Sequence, residues 1–249
     1  MTHYYNEWEP YAAGWLRSLI RAGEIPAGEV DERSIEDVQA KDLEGFTQCH
    51  FFAGIGGWPL ALRLAGWPAE LPVWTGSCPC QPFSVAGKAG GVGDKRHVWP
   101  SFHRLISERR PPVVFGEQVA SEDGRLWLSG VRVDLEKLGY GVGAADLCAA
   151  GVGATQIRPR LWWVADANHS GRQGSERLRE SDQASEERKA ARRQPLRSVG
   201  RHWPPGPGDV DSIPLLANGL PGVVGACKGY GNAIVPQVAA EFVMAFREA

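Results

Sequence analysis

The stretch "FFAGIGGW", residues 51–58, places three glycines directly after a short apolar run. The run has the length of a buried strand, and Pro59 stands where the first turn of a following helix would lie. Glycines let the backbone approach a ligand closely, and the free amide groups at a helix start favour a carboxylate or phosphate. The stretch therefore predicts either a ligand-binding turn between a strand and a helix or a tight turn with only a structural role.

Short apolar runs alternate with helical patterns on both sides of this turn. The run "QCHFFAG" precedes the helical "WPLALRLAG", and "PPVVFGEQV" precedes "GRLWLSGVRVDLEKLG". Such alternation, with glycine or proline at the joints, is typical of a parallel sheet covered on both faces. The predicted fold class is α/β: a Rossmann-like, mostly parallel sheet with helices on both faces and a short irregular insert.

The composition limits the class of protein. The chain has 249 residues, 43% of them hydrophobic, which is enough for one α/β domain with an appendage. The formal net charge is -2, so any contact with nucleic acid must come from a local basic region. The five cysteines are odd in number, and no apolar stretch approaches the roughly 20 residues that span a bilayer. We expect a monomeric protein of the cytoplasm with no membrane role.

Three parts of the chain differ in character. Residues 1–165 carry the alternating pattern of one main domain. From Asn168 to about Arg201 the chain is rich in Arg, Ser, Glu and Gln, and such a segment buries too little surface to offset its ordering entropy. We therefore predict a short, flexible insert over residues 166–212. Residues 213–249 are expected to return to the main domain and to end in a helix after Pro236.

The acidic partner of the glycine turn is displaced along the chain. In a dinucleotide-type site, an acidic residue about 20 residues after the turn binds the ribose hydroxyls. No acidic strand end occupies that place between Gly57 and Pro79. Glu7 instead ends an aromatic run near the start of the chain, with Trp8 beside it. Either Glu7 binds a ribose while Trp8 stacks on a flat base, or the two are an exposed carboxylate and a core tryptophan.

A permuted strand order follows if Glu7 belongs to the site. The second and third strands of the sheet would then come first in the chain, and the third would cross over the second to reach the glycine-turn strand. That displacement is about 10 Å, two strand spacings. The segment "EDVQAKDLEGFTQ", residues 36–48, supplies the dozen residues that a parallel crossover needs.

Five motifs together resemble those of the C5-cytosine DNA methyltransferases, which transfer a methyl group from S-adenosylmethionine to carbon 5 of cytosine. They are "FFAGIGGW", "PCQPFS", "GEQV", "QIRPR" and "GYGNAIVPQ". The segment "NEWEPYA" resembles the family's ribose-binding segment, which normally follows the glycine turn. The resemblance leaves out mainly residues 168–212. It implies S-adenosyl-L-methionine as cofactor and double-stranded DNA as partner, with a catalytic domain over residues 1–165 and a DNA-contacting insert, in a bacterial or phage-infected cell.

The stretch "GSCPCQPFS", residues 76–84, holds a thiol in a rigid turn. A proline-flanked turn at the carboxyl end of a strand presents a sulfur at a fixed place, and the resemblance implies that Cys80 adds to carbon 6 of a flipped-out cytosine. It also implies that Glu117 binds N3 and the exocyclic amine. Arg158 and Arg160, on one side of an extended segment, would hold the cytosine O2 and a phosphate. No second cysteine or histidine pair stands at metal-binding spacing, so no metal site is expected.

The remaining site residues follow from the resemblance alone. Those implied to surround the cofactor, besides Glu7 and Trp8, are Ile35, Phe52, Ala53, Gly54, Ile55, Gly57, Pro79, Trp99, Asn232 and Ala233. Those implied to contact DNA are Gln81, Ser84, Lys88, Arg96 and Gln156. Residues 87–99, glycine-rich and basic, are predicted to form a loop that closes over the DNA.

Three positions depart from the family pattern or leave a choice open. Gln118 stands where the family usually has Asn, which affects the local geometry more than the chemistry. His50 stands where an acidic residue is common. In the segment "VDERSIEDV", residues 30–38, the polar residue that faces the cofactor is either Asp31 or Ser34, and the spacing favours Ser34.

Three alternative functions remain at the level of sequence. The first is a DNA-binding relative without activity, and the second is a cytosine-5 methyltransferase that acts on RNA. The third is a nicotinamide oxidoreductase, because a glycine turn with an acidic partner would suit that cofactor. The oxidoreductase gives Cys80 no role and leaves "GYGNAIVPQ" unexplained.

Overall fold

The structure is a computed structural model and describes residues 2–79, 98–153, 158–168 and 233–248. The described strands form one seven-stranded sheet: β1 Thr2–Asn6, β2 Gly28–Asp31, β3 Phe46–Phe51, β4 Val73–Gly76, β5 Val113–Val119, β6 Gly141–Cys148 and β7 Pro159–Asp166. The described α-helices are α1 Pro10–Arg21, α2 Gly57–Leu64, α3 Trp99–Arg109, α4 Glu122–Lys137 and α5 Pro236–Glu248. Short 3-10 turns cover Ala40–Leu43 and Ala149–Val152.

The strand order is β2-β1-β3-β4-β5-β7-β6. The first five strands run parallel, and β7 is antiparallel to both β5 and β6. The predicted α/β fold with a mostly parallel sheet is confirmed. The antiparallel end has a simple cause, because residues 149–158 between β6 and β7 are fewer than the dozen that a parallel crossover needs.

The crossover that the sequence predicted is present at the other end of the sheet. The chain leaves β2, passes over β1 and enters β3 on its far side. The connecting segment buries Ile35, Val38 and Leu43 against the sheet. The segment therefore covers part of one sheet face as well as linking two strands.

Helices cover both faces of the sheet. On one face α3, α4 and the 36–45 segment pack on residues such as Tyr4, Phe51 and Trp163. On the other face α2 and α5 pack around Phe115, and α1 packs around Tyr5. No helix of the described ranges is long and apolar enough to cross a membrane.

The predicted insert lies almost wholly outside the described residues. Only residues 166–168 of 166–212 are described, at the end of β7. The helix expected after Pro236 is α5, and it packs against α2. The described part of 213–249 therefore returns to the main domain.

A buried pair of histidines lies beside Tyr5 on the sheet. The rings of His3 and His50 are 2% and 0% exposed, with centroids 5.8 Å apart, and Nδ1 of His50 lies 2.9 Å from the hydroxyl of Thr75. Burial lowers the pKa of His3 to about 4. Burial, with a smaller effect of His3, also holds the pKa of His50 well below its usual value. Both rings are therefore neutral in the folded protein at neutral pH.

We predict a loss of stability in mild acid. Both folded-state pKa values lie below the unfolded value near 6.5, so the unfolded chain binds protons first and stability falls as the pH drops below about 6.5. Two such histidines lower the free energy of unfolding by about 3 kcal/mol between pH 6.5 and 5. Urea titrations across this range measure it. The His50→Asn variant should lose about half of the pH dependence, and an unchanged slope would contradict the assignment.

Candidate active site

Five parallel strands bring their carboxyl ends to one edge of the sheet. These are β1 to β5, and the antiparallel β7 adds its amino end at the same edge. In open α/β sheets, ligands bind outside the carboxyl ends of the strands. The predicted residues Glu7, Phe52, Pro79, Glu117 and Arg158 stand at or just beyond these ends.

The glycine turn after β3 has an unusual backbone. Gly54 and Gly56 have φ angles of 55° and 83°, and Phe52 has a φ of 52°. A left-handed phenylalanine costs of order 1–2 kcal/mol, and such strain clusters at functional sites. The ring of Phe52 packs edge-on against Phe102 at 6.0 Å, which helps to hold this conformation. The turn therefore has a fixed backbone.

Glu7 is tied to that turn. One carboxylate oxygen accepts from the amide of Gly54 at 2.7 Å, and the other accepts from the amide of Glu9 at 2.9 Å. The amide of Ala53 donates to the carbonyl of Asn6 at 3.0 Å. Glu7 is 8% exposed, whereas the neighbouring Trp8 is 72% exposed. The structure thus brings Glu7 to the glycine turn and leaves the Trp8 ring accessible beside it.

The two polar candidates stand at and just after the end of β2. Asp31 accepts a 2.7 Å hydrogen bond from the Tyr4 hydroxyl and forms a 2.6 Å ion pair with Arg33. Burial acts to raise the pKa of Asp31, but the hydrogen bonds from Arg33 and Tyr4 hold it below its usual value. The carboxylate of Asp31 is thus used within the fold, and Oγ of Ser34 accepts from the amide of Glu36 at 3.3 Å, so the choice between the two as the ligand-facing residue stays a prediction. Ile35 is buried in the core next to Ser34.

The chain leaves β4 beside Glu117. Gly76 pairs with Gly116 in the parallel ladder, so Ser77 lies next to Glu117. Cys78 is buried, and burial raises the pKa of its thiol, which leaves that thiol protonated and inert. Pro79 is exposed. Cys78 is therefore a core residue, and Cys80, the other cysteine of the motif, lies outside the described residues.

Gln118 braces this turn. Its amide nitrogen lies 3.4 Å from the carbonyl of Cys78, and its amide oxygen accepts from the backbone of Val119 at 2.9 Å. Gln118 is 2% exposed. The longer side chain is thus accommodated within β5 and reaches the backbone that leads to Cys80.

Glu117 is a buried carboxylate with basic neighbours. It is 9% exposed, and its Oε1 lies 2.7 Å from Nε of Arg160. Burial raises the pKa of Glu117 above its usual value, against the lowering effects of Arg160, Arg158 and a hydrogen bond from Ser77. The carboxyl group is therefore closer to protonation near neutral pH than an exposed glutamate.

Both arginines of the "QIRPR" motif act electrostatically on Glu117. Their predicted contacts with cytosine O2 and a phosphate stay predictions. Arg158 also donates to the carbonyl of Ala233 at 3.0 Å. Burial and the charge of Arg160 lower the pKa of Arg158. Arg158 thus connects β7 to the segment before α5.

The other predicted cofactor residues divide into two groups. Ala53 and Ile55 are buried in the cluster beneath α1, and Ala233 packs against that cluster. Gly57 starts α2, and a Cβ there would meet Ile234 at 2.6 Å, so its open side faces the C-terminal segment. Trp99 is buried at the start of α3 and donates its indole N–H to Asp134 at 3.1 Å. Gly57 and Trp99 therefore make structural contacts.

Several predicted residues lie outside the described ranges. They are Cys80, Gln81, Ser84, Lys88, Arg96, Gln156 and Asn232. Their roles stay predictions.

Sequence reasoning missed two residues of this edge. Asn6 donates to the carbonyls of Asp31 and Arg33 at 3.3 and 2.9 Å, which joins the ends of β1 and β2. Ser77 touches Glu117 and accepts from the indole N–H of Trp58 at 3.0 Å. The position of Ser77 at a strand end was the available signal, whereas nothing in the sequence marked Asn6.

The parallel half of the sheet and the polar edge define a Rossmann-like α/β protein with a ligand site at the strand ends. The model of one family, C-5 cytosine-specific DNA methylase, matches residues 67–200, more than half of the chain. The chain belongs to the C-5 cytosine-specific DNA methylase family.

Curated relatives include bacterial enzymes. The chain is 28% identical over 171 residues to the type II methyltransferase M.HhaI of Haemophilus parahaemolyticus, covering 53% of this chain and 52% of the relative. It is 36% identical over 101 residues to the type II methyltransferase M.NgoMIV of Neisseria gonorrhoeae, covering 39% and 32%. The chain thus spans about half or less of the length of these relatives. The crystal structure of S. pombe Dnmt2 methyltransferase aligns with a TM-score of 0.43 at 16% identity, covering 70% of this chain and 53% of that one.

We predict that Glu7 stabilises the glycine turn. Glu7→Ala removes two charge-assisted hydrogen bonds and should lower the free energy of unfolding by about 2 kcal/mol. The amide of Gly54 should then exchange with solvent faster, which hydrogen-exchange mass spectrometry can follow. Glu29→Ala, at an exposed carboxylate on β2, is the matched control. Equal stability and equal exchange in the two variants would show that Glu7 does not hold the turn.

Proposed function

We propose that this chain is a DNA (cytosine-5) methyltransferase, with S-adenosyl-L-methionine as methyl donor and Cys80 as nucleophile. The observation that carries the proposal is the buried Glu117, held by Arg160 and Ser77 beside the strand end that leads to Cys80. A buried carboxyl group beside the strand end that precedes a cysteine suits addition to a pyrimidine ring better than it suits hydride transfer. The family membership of the chain favours the same chemistry.

Cys80 would supply a thiolate. Carbon 5 of cytosine is a weak nucleophile, and addition of sulfur to carbon 6 turns the ring into an enamine that reacts at carbon 5. Loss of the carbon 5 proton and of the sulfur then restores the ring. A free thiol is only about 3% ionised at pH 7. The guanidinium groups of Arg158 and Arg160 would favour the thiolate, because both lie at this edge of the sheet.

Glu117 would steady the opposite edge of the cytosine. A protonated carboxyl donates to N3 as the sulfur adds, and the negative charge of the addition is thereby neutralised. Protonation of an ordinary glutamate at pH 7 costs about 4 kcal/mol. The burial of Glu117 lowers that cost, which supports this role.

The glycine turn and its neighbours fit the cofactor. S-adenosylmethionine would supply the methyl group. The fixed turn at Phe52 and Gly54 leaves room for a close backbone approach, Glu7 can accept from ribose hydroxyls, and Trp8 offers a free ring face. Ser34 and Ile35 would lie on the adenine side. The contacts of Glu7 with the glycine turn and the exposure of Trp8 support this assignment.

DNA contacts would come from segments outside the described residues. We propose that Gln81, Ser84, Lys88, Arg96 and Gln156 hold the target strand and the extruded base. The basic run "ERKAARRQPLR" in the insert would neutralise phosphates. We propose double-stranded DNA as the substrate, a monomeric enzyme, and the bacterial cytoplasm as its location.

The proposal predicts the fate of a labelled methyl group. The chain, incubated with methyl-labelled S-adenosylmethionine and mixed-sequence DNA, should transfer label to carbon 5 of cytosine, read by nucleoside mass spectrometry. Cys80→Ser should abolish transfer, by at least a thousandfold, because a serine hydroxyl is too weakly acidic to add. Cofactor affinity, measured by calorimetry, should stay within about twofold because the glycine turn is untouched.

Cys148→Ser is the matched thiol control and should keep full activity. Label transferred to RNA instead of DNA would favour the alternative substrate. Cofactor and DNA binding without transfer would indicate an inactive relative, and full turnover by Cys80→Ser would exclude the mechanism.

A further inference from the structure

The end of β4 carries a side chain, Ser77, whose contact with Glu117 has so far been given no role of its own in the chemistry. Ser77 follows Gly76, and Gly76 pairs with Gly116 directly before Glu117. Neighbouring parallel strands lie about 4.8 Å apart, so Ser77 and Glu117 stand side by side. The Ser77 hydroxyl lies within reach of the Glu117 carboxyl and, as a donor, lowers its pKa.

The direction of that hydrogen bond is set from a third element. The indole N–H of Trp58, in the first turn of α2, donates to Oγ of Ser77 at 3.0 Å. An indole N–H can only donate, so one lone pair of the hydroxyl is occupied and its single proton is free for another acceptor. The carboxyl of Glu117 is that acceptor. Trp58 is 3% exposed and Ser77 is half-buried, so the contact is partly shielded from water.

We propose that Ser77 is a positioning residue that fixes the orientation of the Glu117 carboxyl group and couples it, through Trp58, to the helix that begins at the glycine turn. The inference rests on the proposed function of Glu117. It assigns a role to a residue outside the five motifs that carry the family resemblance and to a tryptophan that otherwise only packs.

The groups around Glu117 contact its carboxyl group from different sides. Arg160 binds Oε1 at 2.7 Å from the β7 side, and Arg158 acts on the carboxyl from the same strand. Trp162, opposite Glu117 in the ladder, offers an apolar surface. Ser77 is the neighbour on the β4 side, toward the turn that leads to Cys80. Without Ser77 the carboxyl would be held from one side only and could rotate toward the arginines.

The order of elements along the chain also links the glycine turn to Glu117. α2 starts at Gly57, directly after the left-handed Gly56, and Trp58 is its second residue. A shift of the glycine turn would move the indole, and the indole would move the Ser77 hydroxyl. The Glu117 carboxyl is therefore sensitive to the state of the cofactor turn.

Two measurements test the role of Ser77. In a two-dimensional 1H–15N spectrum, the Trp58 indole signal, assigned by its absence in Trp58→Phe, should shift as Glu117 titrates. That shift should vanish in Ser77→Ala and in Glu117→Gln. In the methyl-transfer assay, Ser77→Ala should lower kcat about tenfold with KM for DNA within about threefold. The limb of the pH profile that reports Glu117 should move to higher pH, because a donor to the carboxylate is lost.

Ser77→Thr keeps the hydroxyl and should restore both the profile and most of kcat. If Ser77→Ala does not fold, Trp58→Phe carries the same test, because it frees the hydroxyl without removing it and should give a smaller shift in the same direction. A wild-type profile in Ser77→Ala, or an indole signal that still follows Glu117 in that variant, would overturn the role of Ser77. A wild-type chain without methyl transfer would contradict the proposed function instead, and the indole titration would still decide the contact.

Discussion

The pairing of β4 with β5 is the constraint on which the site depends. Gly76 stands opposite Gly116, and at both positions a Cβ would collide with an aromatic ring: Phe102 at 2.6 Å and Trp163 at 2.2 Å. The missing side chains let these rings lie flat on the sheet, and the rings in turn hold the two strands in this register. A shift of one residue would turn Glu117 to the other face. Side-by-side placement of Glu117 and the turn toward Cys80 therefore follows from packing on the opposite side of the sheet.

Burial sets the chemistry of this edge. Glu117 has lost most of its contact with water and keeps one close ion pair with Arg160 and one hydrogen bond with Ser77. Desolvation of such a carboxylate costs several kcal/mol. Buried ionisable groups with shifted pKa values cluster at functional sites. The same edge keeps Cys78 as an inert core thiol and ties Glu7 to the glycine turn. Each polar group at the strand ends thus has its protonation or its position fixed before a ligand binds.

Much of this arrangement could be predicted from the sequence. The alternation of apolar runs with helical patterns predicted the parallel sheet. The position of "NEWEPYA" ahead of the glycine turn predicted the crossover from β2 to β3. Both predictions depend on local patterns and on connection length. The antiparallel β7 was not predicted, since its direction depends on the short link after β6. The contacts of Asp31 with Tyr4 and Arg33 could not be predicted, because they depend on how the ends of neighbouring strands meet. The Trp58–Ser77–Glu117 contact joins three elements, and no spacing in the chain indicates it.

A covalent bond between Cys80 and cytosine is the central chemical claim, and it can be trapped. DNA in which 5-fluorocytosine replaces cytosine blocks the final elimination, because fluorine cannot leave carbon 5 as the proton does. After incubation with S-adenosylmethionine, digestion and mass spectrometry should find a nucleotide attached to the peptide that contains Cys80, with slower formation in Glu117→Gln. Methyl transfer to ordinary DNA with no trapped species, or a nucleotide attached at another cysteine, would contradict a mechanism built on Cys80 and Glu117.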